Sequence, residues 1–149
     1  WVLLTAVAAW TAITSSDEAP FGVFTVVGLI VWVVGFGIEV RADREKQAFR
    51  QDPANEGRFI STGIWAWSRH PNYFGEIMLW TGIAIIALPA FDGAEFVALI
   101  SPVFVTLLLT RISGVPMLER RGKKKWGDDP AYQAYVKNVP VLVMRPPKS

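Results

Sequence analysis

The sequence predicts an all-α integral membrane helical bundle of about four transmembrane helices, with a polar loop and short C-terminal helices at one end. Three observations predict it. Hydrophobic residues make up 52% of the 149 positions and mean hydropathy is +0.31, more apolar surface than a small water-soluble core absorbs. The apolar residues gather into four long segments. The basic residues lie between those segments on one side only: Arg41 to Asn72 holds six and Arg111 to the C-terminus nine, together all 15, whereas Thr14 to Pro20 and Asp92 to Glu95 hold none. A water-soluble helical bundle has no reason to sort its charges in this way, and the positive-inside rule assigns both basic segments to the cytoplasm.

Residues 1–149 read as a single membrane domain. Its spans fall at about 1–13 (partial), 21–40, 74–91 and 96–112, and its cytoplasmic segments at 41–73 and 113–149. A bilayer core of roughly 30 Å requires about 20 apolar helical residues, a length that Phe21 to Val40 and Phe74 to Phe91 reach directly. Trp1 to Ile13 is too short and opens in mid-run without a basic region ahead of it. It therefore fits the tail of an incomplete span better than a signal peptide, and further spans are expected upstream. Phe96 to Thr110 reaches spanning length by continuing through Ile112, and Pro102 is expected to kink it. Gly28, Gly35, Gly37 and Gly82 lie inside the spans, where small residues let helices approach closely.

Glu39 to Arg50 carries good helix formers and reads as a helical extension of the second span, ending before Asp52-Pro53; Asn55-Glu56-Gly57 marks a turn. Ile60 to Trp67, short and apolar with two tryptophans, is expected to lie in the membrane interface. The C-terminal stretch begins with a basic cluster, turns at Gly127-Asp128-Asp129-Pro130 and closes with Val139 to Met144. The chain has no cysteine, which excludes disulfides, thiolate metal sites and thiol nucleophiles within it. His70 is its only histidine, which excludes a histidine metal cluster.

Three constellations could carry chemistry. Arg69-His70-Pro71-Asn72-Tyr73-Phe74-Gly75-Glu76 sits where the polar loop enters the third span. Pro71 suits a helix start, whose free N–H groups attract anions, and Glu76 falls one turn inside the apolar run, where a carboxylate without a function or a partner such as Arg69 is costly. Glu39, Asp43, Lys46 and Arg50 recur at three- and four-residue intervals, so they share one helix face, either solvated or turned toward the bundle. The third group is Arg111, Glu119, Arg120 and Arg121, then Lys123 to Lys125, with Tyr132 and Tyr135 beyond. Its lysine run suits anionic headgroups, while Arg111 at the end of a span could face the cavity between helices. Together these groups offer cations for phosphates, rings for stacking, and Asn and carboxylates for amides and hydroxyls, the requirements of a nucleotide-like cofactor at the mouth of a bundle. No glycine-rich dinucleotide fingerprint is present.

The runs SRHPNYFGE and ADREKQAFR, and the closing Glu119-Arg120-Arg121 followed by Tyr132, Tyr135 and Val139-Pro140, resemble the membrane steroid 5-alpha-reductase C-terminal family, in particular its bacterial DUF1295 branch. The resemblance covers roughly residues 20 to 146. It implies a reductase acting on CH–CH groups, in which NADPH saturates a carbon–carbon double bond conjugated to a carbonyl in a lipid or steroid-like substrate. It also implies a setting in the bacterial inner membrane with the basic loops and C-terminus cytoplasmic. The expected partners are then the lipid bilayer and a hydrophobic small molecule, with no nucleic acid.

The family's cofactor residues carry over onto Asp43 and Arg50, onto Asn72 and Glu76 of the Asn-Tyr-x-Gly-Glu motif, and onto Arg111, with looser matches at Glu119 and Tyr135. Arg69, His70 and Tyr73 join the same expected site. In the family the proton donor is a Glu–Tyr pair in N-terminal spans that have no counterpart here. Arg-His-Pro is shared with a wider superfamily that includes isoprenylcysteine carboxyl methyltransferases, so S-adenosylmethionine-dependent methyl transfer is the competing activity. A non-enzymatic membrane scaffold is the third reading, and it leaves Glu76 without a purpose.

Overall fold

A computed structural model describes residues 22–147. The described chain is helical throughout its ordered elements, and three of its helical stretches, Val23–Gln51, Pro71–Ala90 and Gly93–Trp126, are long and apolar enough to cross a membrane. It is an all-α membrane bundle. The first expected span, 1–13, lies outside the described residues.

Helix α1 (Val23–Gln51) is the second expected span and its extension in one piece. It ends at Asp52, whose side chain caps the 3-10 turn Pro53–Asn55 by accepting from Ala54 N–H at 2.9 Å. Gly57 then reverses the chain at φ 76°, as the turn signal predicted. Helix α2 (Pro71–Ala87) starts at Pro71, where the absent N–H is no loss, and a 3-10 turn over Leu88–Ala90 completes that span.

Helices α1 and α2 pack through a line of glycines. A methyl group on Gly82 would stand 2.7 Å from Gly28 O, one on Gly35 2.8 Å from Gly75 O, and one on Gly75 2.8 Å from Glu39 N. Backbones this close gain van der Waals contact that lipid cannot replace. Gly75 belongs to this line, although in the sequence it reads only as part of a motif. Gly37 does not belong, since its methyl position meets nothing within 4 Å.

The last span is irregular. Glu95 accepts from Asp92 N–H (3.1 Å) at its start, and it winds as 3-10 over Gly93–Leu99 before becoming helix α3 (Ile100–Leu107) beside Pro102. It then widens into a π turn over Leu108–Ile112, closed by Ser113 N–H to Leu108 O at 2.9 Å. Helix α4 (Gly114–Trp126) follows a break at Ser113, and helix α5 (Pro130–Asn138) is capped by Asp129, which accepts from Ala131 N–H at 2.8 Å.

Two packing features add to what the sequence predicts. Residues 60–67 pack on the bundle: Ile64 and Trp65 are buried against Ile38 and Ala42 of α1, and Trp65 Nε1 donates to Ala42 O at 3.0 Å. Residues 139–145 fold back along this segment, with Arg69 N–H on Pro140 O, Arg145 N–H on Trp67 O, and Ser68 Oγ donating to Leu142 O, each at 2.9 Å. The apolar faces of α1 and of the last span stay exposed, from Val23 to Phe36 and from Phe96 to Leu107, as lipid-facing surfaces do.

Candidate functional site

A cavity of about 460 Å³ opens where the polar ends of these elements meet. Each wall comes from a different element: Lys46 and Arg50 from the last turns of α1, Arg58 and Phe59 from the loop, Arg69 and His70 from the approach to α2, Glu119, Arg121 and Lys125 from α4, and Tyr132 and Tyr135 from α5. Six cations against Glu56 and Glu119 make it electropositive. Its size lies within the usual range for small-molecule sites.

The aromatic wall is a cluster around Phe59, whose ring centroid lies 5.1 Å from Tyr132, 5.5 Å from Tyr135 and 5.9 Å from Trp126. Gly122 makes this possible: a side chain there would collide with the Tyr132 hydroxyl. Tyr135 donates to Trp65 O at 2.8 Å, and Lys46 Nζ lies 5.1 Å from the centre of the Trp65 ring. Burial pushes the phenols of Tyr132 and Tyr135 up, Tyr135 strongly, so both remain neutral donors across the physiological range.

Glu119 clasps the floor. One carboxylate oxygen accepts from Arg69 Nη1 and the other from His70 Nε2 (2.8 Å), and His70 stacks on Tyr73 with centroids 5.7 Å apart. Arg69 therefore pairs with Glu119 of α4 and not with Glu76. Tyr73 in turn packs against Gly114 at the start of α4.

Of the residues singled out in the sequence, the cavity gathers Lys46, Arg50, Arg69, His70, Glu119, Arg121, Lys125, Tyr132 and Tyr135. A second group sits further along the same face of α1. Glu39, Asp43 and Glu76 are within electrostatic reach of one another, and Asp43 and Glu76 also act on Tyr73. From Arg50 back to Glu39 the helix rises about 16 Å, with Lys46 and Asp43 between them. Buried polar atoms without partners mark both groups: Arg69 Nε by the cavity, and Asn72 Oδ1 and Glu39 Oε2 beyond it. Arg111 stands apart. It is exposed on the π turn and lines neither this cavity nor the cleft between α4 and α5.

Arg58 and Phe59 line the cavity but belong to none of the constellations read from the sequence, whereas Arg121 and Lys125 come from the third of them. The only local signal for Arg58 and Phe59 was a basic and an aromatic residue directly after the Gly57 turn. The lysine cluster does not act as one patch. Lys125 lines the cavity, with its Nζ 4.8 Å from the Trp126 ring centre, Lys123 faces the separate α4/α5 cleft, and Lys124 lines neither.

Comparison with known proteins identifies the family. A family model described as a protein of unknown function, DUF1295, matches residues 1–139. The chain is 36% identical over 59 residues to the steroid 5-alpha-reductase DET2 of Gossypium hirsutum, an alignment covering 40% of this chain and 23% of that protein. It is 27% identical over 89 residues to an uncharacterized protein of Schizosaccharomyces pombe, covering 48% of this chain and 26% of that protein. The alignments thus span about a quarter of the length of these curated relatives. No solved structure matches. On the match across most of its length, the chain belongs to the steroid 5-alpha-reductase-like DUF1295 family of membrane proteins.

Proposed function

We propose that this chain forms the cofactor-holding part of a membrane reductase that uses NADPH to saturate a carbon–carbon double bond conjugated to a carbonyl in a lipid or steroid-like enone. The observation that carries the proposal is the electropositive, aromatic-walled cavity at the polar ends of the spans, with unpartnered Asn72 Oδ1 and Glu39 Oε2 further along the same helix pair. That donor set fits a nicotinamide dinucleotide phosphate: Arg50, Arg58, Arg121 and Lys125 would neutralise phosphates, Phe59 and Tyr132 would stack on the base, and Asn72 and Glu76 would orient the carboxamide. Asp43 lies between those two ends. Arg69 and His70, held by Glu119, position the α2 N-terminus at the cavity floor, and Tyr73 and Tyr135 tie the floor and wall to the helices. NADPH supplies the hydride when bound, while the protein contributes orientation and exclusion of water. A proton must also reach the enolate that hydride addition creates, and no residue of this chain is assigned that role. Arg111, exposed at the span's end, is proposed only as a contact completed by neighbouring helices.

The proposed setting is the bacterial inner membrane with the basic loops cytoplasmic. In this cysteine-free chain, single cysteines at exposed Ala94 and Lys124 should label from opposite sides. Function is tested by thermal-shift titration of the detergent-purified protein with NADPH and S-adenosylmethionine in parallel. At a hundredfold excess over Kd the bound ligand should stabilise by about 2.7 kcal/mol. Stabilisation by S-adenosylmethionine alone would replace the reductase with a methyltransferase, and a response to neither would leave a scaffold.

A further inference from the structure

Helices α4 and α5 diverge from the turn at Gly127, whose carbonyl accepts from Gln133 Nε2 at 2.8 Å, and leave between them a second cavity of about 540 Å³. Arg120, Lys123 and Lys137 face it, and its apolar wall comes from Tyr132 and Val136. Glu119 also lines it, but both oxygens of that carboxylate are taken by Arg69 and His70 on the other side. Among the described residues none of the three cations has an ion-pair partner. A cavity with unneutralised positive charge on its walls and an apolar ring within it suits a ligand that is anionic at one end and apolar at the other.

Its location narrows the ligand further. Helix α4 continues the helical stretch Gly93–Trp126 that is apolar enough to cross the membrane, so the cleft lies at the polar end of a span, within reach of lipid headgroups. We propose that the α4/α5 cleft is a binding site for the phosphate of an anionic phospholipid, held by Arg120, Lys123 and Lys137 with its apolar part against Tyr132 and Val136. The site is separate from the candidate cofactor cavity but shares Glu119 and Tyr132 with it as a common wall. A lipid bound there would press on the residues that close the cavity floor.

The test requires no nucleotide. The detergent-purified protein is incubated with phosphatidylglycerol or phosphatidylcholine at equal mole fraction, and retained lipid is counted by native mass spectrometry. One phosphatidylglycerol per chain should be retained in preference to phosphatidylcholine. Retention should fall roughly fivefold for each cation removed in R120Q, K123Q and K137Q, and hold in K124Q, which alters the same basic run outside the cleft. Lys137→Gln, exposed on α5, keeps the test valid should either α4 variant fail to fold. Equal retention of the two lipids, or equal loss in K124Q, would overturn the site as a general polybasic attraction. Displacement of phosphatidylglycerol by millimolar inorganic phosphate would overturn the lipid as its ligand in favour of a soluble phosphate.

Discussion

Replacing Glu119 by alanine removes the one group on which Arg69 and His70 both close. Arg69 and His70 are only 10% and 7% exposed in their side chains, while Glu119 is 29% exposed. Losing one partner of a fully buried pair costs about 3–5 kcal/mol, because a charge is stranded without compensation. Water at the Glu119 side reduces that to about 2–3 kcal/mol, since the freed Arg69 can turn partly toward the cavity. For a chain of this size each kcal/mol shifts the melting temperature by about 2–4 °C, so E119A should melt roughly 4–12 °C below the parent in detergent. E119Q keeps one carbonyl acceptor, enough for Arg69 or His70 but not both, and should fall between them. Differential scanning fluorimetry on the three proteins reads this directly. An E119A melting temperature within a degree of the parent would show that the clasp carries no net energy and that the α4 contact with the α2 N-terminus rests on packing alone.

Three further perturbations follow from the same geometry. Gly82→Val forces a branched side chain into Gly28 O and the Trp32 backbone and should abolish the folded, monodisperse protein, whereas Gly37→Ala, on an open face, should leave the melting temperature unchanged; size-exclusion profiles separate the two. Arg50→Ala should weaken NADPH by at least tenfold and NADH much less if its guanidinium meets the extra phosphate, and equal losses measured by titration would remove that role. The Tyr135 phenol has its pKa raised by burial, so the unfolded chain loses that proton near pH 10 while the folded chain keeps it. Its contribution is complete below pH 10 and declines as pH climbs above it, so the parent should lose more stability than Tyr135→Phe between pH 9 and 11.5. Parallel melting curves for the two across that interval would show that Tyr135 is not the group responsible.

The spans were legible because lipid imposes a local rule, about 20 apolar residues without interruption, and Val23–Gln51 and Pro71–Ala90 obey it. Helix ends were legible for the same reason. Pro71 at a first turn and Gly57 at a reversal act through their own backbone, while Asp52 and Asp129, read only as a stop and a turn, turn out to be side-chain caps two residues from the N–H groups they accept from. The recurrence of Glu39, Asp43, Lys46 and Arg50 on one face was likewise contained in the spacing, and α1 carries it intact. The glycine line was legible only in part. Spacing does not distinguish Gly75, pressed on Glu39, from Gly37, which faces open space.

What the sequence by itself determined is therefore local: which segments are helical, which are apolar enough for a membrane, and which residue types gather at their polar ends. Only the tertiary structure decided the partners. It brought Glu119 onto Arg69 and His70, Tyr135 onto Trp65 some 70 residues earlier, and Phe59 among three rings of the C-terminal helices, and it divided Lys123, Lys124 and Lys125 among different surfaces. The physical reason is that helix formation and lipid exposure are read over a few turns of chain. An ion pair or a cavity wall instead depends on how elements far apart in sequence dock, and that docking is set by the close approach at Gly28, Gly35, Gly75 and Gly82 and by the fold-back of residues 139–145.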